Sequence, residues 1–230
     1  MMTNSVTFRK VTVMVDISSW LDLYLGQVNK VFGDRIWFVG LQGSYARGEA
    51  TENSDIDVVL ILDNLTVSDV SAYRYALDSL PNRECICGFF SGRNELLNWD
   101  PADLFQFYHD TKPIRGDLDA LIPLLDESVV ARAIKVGAGN IYHGCLHNML
   151  HHQSEEILRG LYKSAAFVVQ AIAYQKNGRY FAKMNNLVDV VDPCDRTVIE
   201  ISRLLKNGGQ VDFAPMAETL FLWAQALIVE

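Results

Sequence analysis

Apolar positions follow two regimes along this chain. Up to about residue 126 they alternate between helical spacing and short unbroken runs, and beyond it only helical spacing remains. In "DISSWLDLYLGQVNKVFGDR", Trp20, Leu21, Tyr24, Leu25, Val28 and Val31 recur every three or four positions, which predicts a helix stopped at Gly33. "IWFVGL" (36–41) is short, β-branched and aromatic, a strand pattern. "DVVLILD" (57–63) is apolar on both faces, as in a strand of a sheet covered by helices. "TVSDVSAYRYALDSLP" (66–81) predicts a helix closed by Pro81, and "ECICGFF" (84–90) a third strand. Asp100 and Pro101 read as the N-cap and first position of a short helix over "ADLFQFYHD". "TKPIRG" (111–116) reads as a brief edge strand, where Pro113 is tolerated, and "TFRKVTVMV" near the start as a further strand.

Residues 127–153, 154–176, 194–207 and 213–228 all carry helical periodicity, with breaks at Asn177-Gly178, Pro193 and Gly208-Gly209. The expected class is therefore α+β: a small mixed sheet flanked by helices over residues 1–126, then an all-α bundle over 127–230.

Charge sharpens this division. The net charge of −8 lies in residues 1–126, which carry 10 Lys and Arg against 18 Asp and Glu, whereas residues 127–230 balance at 10 against 10. A nucleic-acid-binding protein is expected to show a basic face, so no nucleic-acid partner is expected. The acidic first half suits metal ions and a cationic acceptor instead. No apolar run approaches a membrane span, and "MMTNSVTFRK" has no apolar signal core, so the expected location is the cytoplasm. Cys85, Cys87, Cys145 and Cys194 form no CxxC pair and read as reduced thiols.

The densest chemistry lies in "LQGSYARGEATENSDIDVVLILD" (41–63). Strand side chains alternate, so Asp55 and Asp57 project to one side at the mouth of the second strand. Two unpaired carboxylates there would repel, and a divalent cation removes the repulsion. Oxygen-only ligation suits Mg²⁺, which keeps waters and takes further ligands from substrate phosphates. Just before, Gly43 and Ser44 follow the first strand and open a short helix. Gly43 permits a phosphate close to the backbone, and the Ser44 hydroxyl adds a hydrogen bond. Arg47, one turn on, has two readings: a phosphate contact, or a structural salt bridge beneath the loop.

Gly43-Ser44-x-Ala46-Arg47-Gly48 followed by Ser54-Asp55-x-Asp57 resembles the signature of the DNA polymerase β-type nucleotidyltransferase superfamily. The likeness is to its small-molecule branch, which includes the aminoglycoside nucleotidyltransferases and the minimal nucleotidyltransferases. "GLYKSAAFVVQAIAYQKNGRYFAK" (160–183) adds a weaker likeness to the helical bundle of that branch. The resemblance implies that Gly43 and Ser44 bind the β- and γ-phosphates of ATP or another NTP, while Asp55 and Asp57 hold two Mg²⁺ ions. It also implies transfer of a nucleoside monophosphate to a hydroxyl of a small-molecule acceptor, with release of pyrophosphate. The acceptor is expected between the two domains, where such pockets tend to lie. The third carboxylate of such sites is expected at Glu84, with Glu95 and Asp103 as alternatives.

Two other readings stand beside this one: an antitoxin-type enzyme that adenylylates a protein, and a non-catalytic nucleotide-binding module. Tyr45 reads as packing. His143, His147, His151 and His152 cluster in "HGCLHNMLHH", where His147 and His151 have an i, i+4 spacing able to hold zinc. A polar helix face is the favoured reading, because no acidic base lies between them. Glu155 and Glu156 follow and read as exposed helix charges, with acceptor base as the alternative. No arginine precedes a histidine by the interval of the RNA-cutting toxins that partner minimal nucleotidyltransferases.

Overall fold

The structure is a computed structural model and describes residues 14–229. The strand expected in "TFRKVTVMV" falls almost wholly outside these residues. The chain divides into two compact units. One runs to Leu96 and takes in Thr111–Asp117, and the other comprises Leu97–Asp110 and the residues from Leu118 onward.

The first unit is a four-stranded mixed sheet with helices. Helix α1 (Ile17–Phe32) starts at Asp16, whose carboxylate accepts from the Ser18 N–H, and ends at Gly33. It buries Trp20, Tyr24, Val28 and Phe32, a strict four-residue stripe, while Val31 is exposed. Strand β1 (Ile36–Leu41) leads directly into α2 (Gly43–Arg47), and β2 (Ile56–Leu62) follows. Helix α3 (Val67–Asp78) opens with a capping box between Thr66 and Asp69. The 3₁₀ turn Arg83–Cys85 precedes β3 (Ile86–Gly92), so Glu84 belongs to the turn and not to the strand expected from residue 84. A short helix, α4 (Arg93–Leu97), follows β3, and β4 (Lys112–Arg115) completes the sheet.

Strand order is β3-β2-β1-β4, with β2 and β3 parallel and both other pairings antiparallel. Edge position explains why β4 tolerates Pro113. One face of β2 (Ile56, Val58, Leu60, Leu62) shares a core with the α1 stripe and Tyr73 of α3. Val59 and Ile61 on the other face are equally buried, which accounts for the unbroken apolar run. Tyr24 and Tyr73 hydroxyls lie 2.8 Å apart, and the Trp20 indole N–H donates to the Pro81 carbonyl at 3.0 Å. Asp69, itself buried, accepts from both terminal nitrogens of Arg35 and from Thr66. These hydrogen bonds hold its carboxyl well below the usual carboxylate range.

The second unit is helical. Helix α5 (Pro101–Asp110) begins at Asp100, whose side chain accepts from the Ala102 N–H. It is followed by α6 (Glu127–His147), α7 (Glu155–Asn177), α8 (Pro193–Lys206) and α9 (Phe213–Val229). Pro193 is the first residue of α8, where a missing N–H costs nothing. The helix expected over 127–153 changes at His147 into one π turn, Asn148–His152. Phe105, Ile141, Tyr162, Val169, Val198, Leu220 and Trp223 belong to one core. Its buried polar groups are satisfied: the Tyr162 hydroxyl donates to the Met216 carbonyl, and the Trp223 indole N–H to Asp195. No helix among the described residues is long and apolar enough to cross a membrane.

Candidate active site

The C-terminal end of β1, the N-terminal ends of β2 and β3, and the start of β4 meet at one end of the sheet. The antiparallel register pairs Leu41 with Val58 and with Lys112, and the parallel register pairs Asp57 with Cys87. At this end the chain leaves β1 through Gln42, whose N–H donates to the Asp57 carbonyl at 2.8 Å. The Gln42 side chain donates to the buried Thr111 hydroxyl at 2.6 Å, fixing the start of β4 to the same corner.

Gly43 then turns into α2 at φ +66°, and its position is dictated by Asp57. A Cβ built on Gly43 would stand 2.0 Å from Asp57 Oδ2, so only a glycine lets the backbone lie against that carboxylate. Asp57 is the second residue of β2 and half-buried. Asp55 stands one residue before the strand and is exposed. The turn into Asp55 is set by Ser54, whose hydroxyl accepts from the Thr51 N–H at 2.8 Å.

Arg47 lies beside Glu49. Its Nε lies 3.5 Å from Glu49 Oε2, and both side chains are largely buried, at 11% and 19% exposure. Glu49 is fixed in turn by its N–H, which donates to the Ser44 carbonyl at 2.8 Å. Tyr45 is half-buried and packs against the sheet core, as expected for packing.

The expected acidic partners fall in different places. Glu84 is exposed in the 3₁₀ turn, where strand alternation does not direct it to the face of Asp55 and Asp57. Glu95 lies in α4, beyond Gly92, which pairs with Leu62 at the other end of β2. Five residues of strand separate that end from Asp57, roughly 16 Å, so Glu95 is excluded from this corner. Asp103 belongs to α5 in the helical unit and accepts from the Trp99 indole N–H at 3.2 Å. Glu155 and Glu156 form the exposed first turn of α7, where the helix dipole favours acidic residues.

Cys87, Lys112, Glu49 and Thr111 are the neighbours that sequence reasoning missed. Only the Arg47-x-Glu49 spacing offered a local signal. The rest depend on strand pairings between distant segments.

Among the described residues no group of three or more His, Cys, Asp or Glu side chains is arranged to hold a metal ion. The donor set at this corner is two carboxylates at the mouth of β2, one of them packed on bare backbone. That set fits a hard cation that completes its shell with water and phosphate oxygens, as Mg²⁺ does, and not one needing a full protein cage.

Residues 27–98 match the family model of the nucleotidyltransferase domain, a span that includes β1, the Gly43 turn, β2 and β3. A candidate protein adenylyltransferase of Methanocaldococcus jannaschii is 36% identical over 62 residues, which are 27% of this chain and 42% of that protein. The chain thus spans less than half the length of this curated relative. Among solved structures, a spectinomycin adenyltransferase of Enterococcus faecialis, crystallised with ATP and spectinomycin, superposes with a TM-score of 0.54. The match covers 90% of this chain and 97% of that one at 14% identity, a likeness of fold. Residues 27–98 are thus similar to a nucleotidyltransferase domain, and the chain shares an α+β fold with the spectinomycin adenyltransferase.

Proposed function

We propose that the protein is a Mg²⁺-dependent nucleotidyltransferase that moves a nucleoside monophosphate, AMP by preference, from an NTP to a hydroxyl of a small cationic acceptor. One observation carries the reading: the Gly43 backbone lies directly against the Asp57 carboxylate, inside the segment that matches the nucleotidyltransferase domain. A turn suited to phosphates and a carboxylate pair suited to a cation are thereby one device.

Asp55 and Asp57 are the residues that would hold the cation. When bound, Mg²⁺ supplies charge neutralisation and polarisation at the α-phosphate. Gly43 admits the β- and γ-phosphates to the backbone, and the Ser44 hydroxyl donates to a phosphate oxygen. Arg47, paired with Glu49, stiffens the turn that presents them. In the transfer, a bond forms between the acceptor oxygen and Pα while the bond from Pα to the bridging oxygen breaks, and pyrophosphate leaves. Glu84, in the turn before β3 and outside strand alternation, is assigned to receive the acceptor proton. We take the reaction to be cytoplasmic.

The test is calorimetric titration of ATP, GTP, CTP and UTP, with and without Mg²⁺, on wild type, Asp55→Asn and Asp57→Asn. Pyrophosphate release with spectinomycin and other aminocyclitols is measured alongside. Wild type should bind one triphosphate in a Mg²⁺-dependent manner. Each aspartate variant should lose at least about 100-fold in turnover, corresponding to about 2.7 kcal/mol. Glu84→Gln should lose at least about 100-fold. Absence of triphosphate binding with or without acceptor would sink the reading.

The adenylyltransferase relative supports a second reading, in which the acceptor is a protein side-chain hydroxyl. A mass increase of one AMP on a co-purified protein, with no transfer to aminocyclitols, would select it.

A further inference from the structure

Four of the five histidines lie in one stretch of the helical unit: His143, His147, His151 and His152, all exposed. The backbone beneath them is unusual. Helix α6 stops being α-helical at His147 and passes into the π turn Asn148–His152. In a regular α-helix, residue i+4 is a neighbour, but residue i+5 is rotated roughly 140° away. A π turn, with its i→i+5 closure, brings the fifth residue round. His147 therefore gains two ring neighbours on one side, His151 with ring centres 4.7 Å away and His152 at 5.0 Å. His143 flanks it at 6.2 Å.

The turn is firmly built. Asn148, 1% exposed, donates from its side-chain amide to the Ser154 carbonyl at 3.0 Å. Its amide oxygen accepts from the Ser154 N–H at 2.9 Å. The Gln153 N–H donates to the Asn148 carbonyl at 2.7 Å. Gln153 sits at φ +47°, a left-handed conformation that costs a non-glycine residue on the order of 1 kcal/mol. The braced π turn thus adds His152 to the imidazoles that α-helical spacing already sets beside His147.

We propose that His147, His151 and His152 form a binding site for a divalent transition metal of the Zn²⁺ class, with His143 available as a fourth donor. A Zn–N distance of about 2.0–2.1 Å puts a ring centre roughly 3.2 Å from the ion. Two tetrahedral ligands then have ring centres roughly 5.2 Å apart. The observed 4.7 and 5.0 Å lie close to that separation. As they stand, the rings are not aimed at one point, since no closed group of three donors exists among the described residues. Rotation about χ1 and χ2 aims them, and the rings are exposed and so have room to turn. An all-imidazole donor set selects Zn²⁺, Ni²⁺ or Cu²⁺ over the hard cations that suit Asp55 and Asp57. Metal would clip the end of α6 to the segment entering α7.

The experiment is calorimetric titration of untagged full-length protein with Zn²⁺, in excess Mg²⁺, using wild type, His147→Gln, His152→Gln and the Asp55→Asn/Asp57→Asn double variant. Thermal melts with and without Zn²⁺ accompany each titration. Wild type and the double aspartate variant should bind one equivalent and melt higher with Zn²⁺. Each histidine variant should lose at least about 100-fold in affinity, more than removal of an outer-shell partner costs, and lose the rise in melting temperature. These residues are exposed, so far-UV circular dichroism should be unchanged by the substitutions. The proposal is overturned if wild type binds no Zn²⁺, if the histidine variants bind like wild type, or if the double aspartate variant abolishes binding.

Discussion

A methyl group added at position 43 would stand 2.0 Å from Asp57 Oδ2, on a backbone already at φ +66°. Alanine at this position must either push the carboxylate aside or open the turn. We expect Gly43→Ala to lower Mg²⁺-dependent ATP binding at least about 10-fold, with strain of about 1–2 kcal/mol. Parallel titration and thermal melting check this, because a purely structural role would lower the melting temperature and leave ATP affinity intact. The position of Asp55 and Asp57 at the mouth of β2 was legible in the sequence, because the apolar run that marks the strand is local. The ion pair of Arg47 with Glu49 was legible only as one of two readings, since the spacing does not say which way a guanidinium turns. His109 offers a second residue-scale prediction. It stacks on Tyr180, with ring centres 4.6 Å apart, beside Phe105 and Tyr174. Burial pushes its pKa down to about 4. Its folded pKa lies below the unfolded value near 6.5, so the unfolded chain takes up the proton first as pH falls. Stability is therefore full above pH 6.5 and declines toward pH 4, by on the order of 1–2 kcal/mol. Urea unfolding across this range should show a shallower acid limb in His109→Phe than in wild type.

Helices and strands differed in how much of them periodicity reveals. The stripe of α1 and the helical character of α6 to α9 follow from apolar spacing that their own residues carry. The π turn does not, because it depends on Asn148 reaching Ser154 across six residues. The start of β3 was misjudged for a similar reason: "EC" reads as strand by composition, but Arg83–Cys85 closes a 3₁₀ turn. The parallel register, which neither segment announces alone, makes Cys87 the in-register neighbour of Asp57. Neighbouring strands lie about 4.8 Å apart, and paired residues of a parallel ladder face the same side. Cys87→Asp should therefore set a third carboxylate beside the pair. Without a cation the added charge is repulsive, so the melting temperature in chelator should fall. With Mg²⁺ it should recover, and half-maximal ATP binding should need roughly 3- to 10-fold less Mg²⁺, the effect of one extra oxygen ligand. A melting temperature indifferent to Mg²⁺ would show that position 87 does not face the cation.

Across the whole chain, the path between the units was the least legible feature. Charge and periodicity both change near residue 126, yet α5, which precedes that point, belongs to the helical unit, while β4, which follows α5, belongs to the sheet. Short segments do not announce their packing partners: α5 has the length of one helix among many, and β4 only four residues. The consequence is energetic. Phe105 of α5 is 1% exposed in the core formed with α6 to α9, and its ring lies 5.1 Å from that of Tyr174 on α7. Asp100, at the start of α5, pairs with Arg132 of α6 at 2.7 Å, an exposed contact worth little beside the buried ring. Removing a buried phenyl group costs about 3–5 kcal/mol, a large share of the 5–15 kcal/mol that holds a typical domain together. Phe105→Ala in the full chain should therefore lower the unfolding free energy of the helical unit by that amount, read from denaturant unfolding followed by fluorescence and far-UV circular dichroism. A fragment of residues 127–230, which lacks α5 altogether, should lose cooperative unfolding, whereas supplying residues 97–110 as a peptide should restore it in part. If the fragment alone unfolds as cooperatively as the full chain, α5 is an appendage of the bundle and Phe105 fills no essential place in its core.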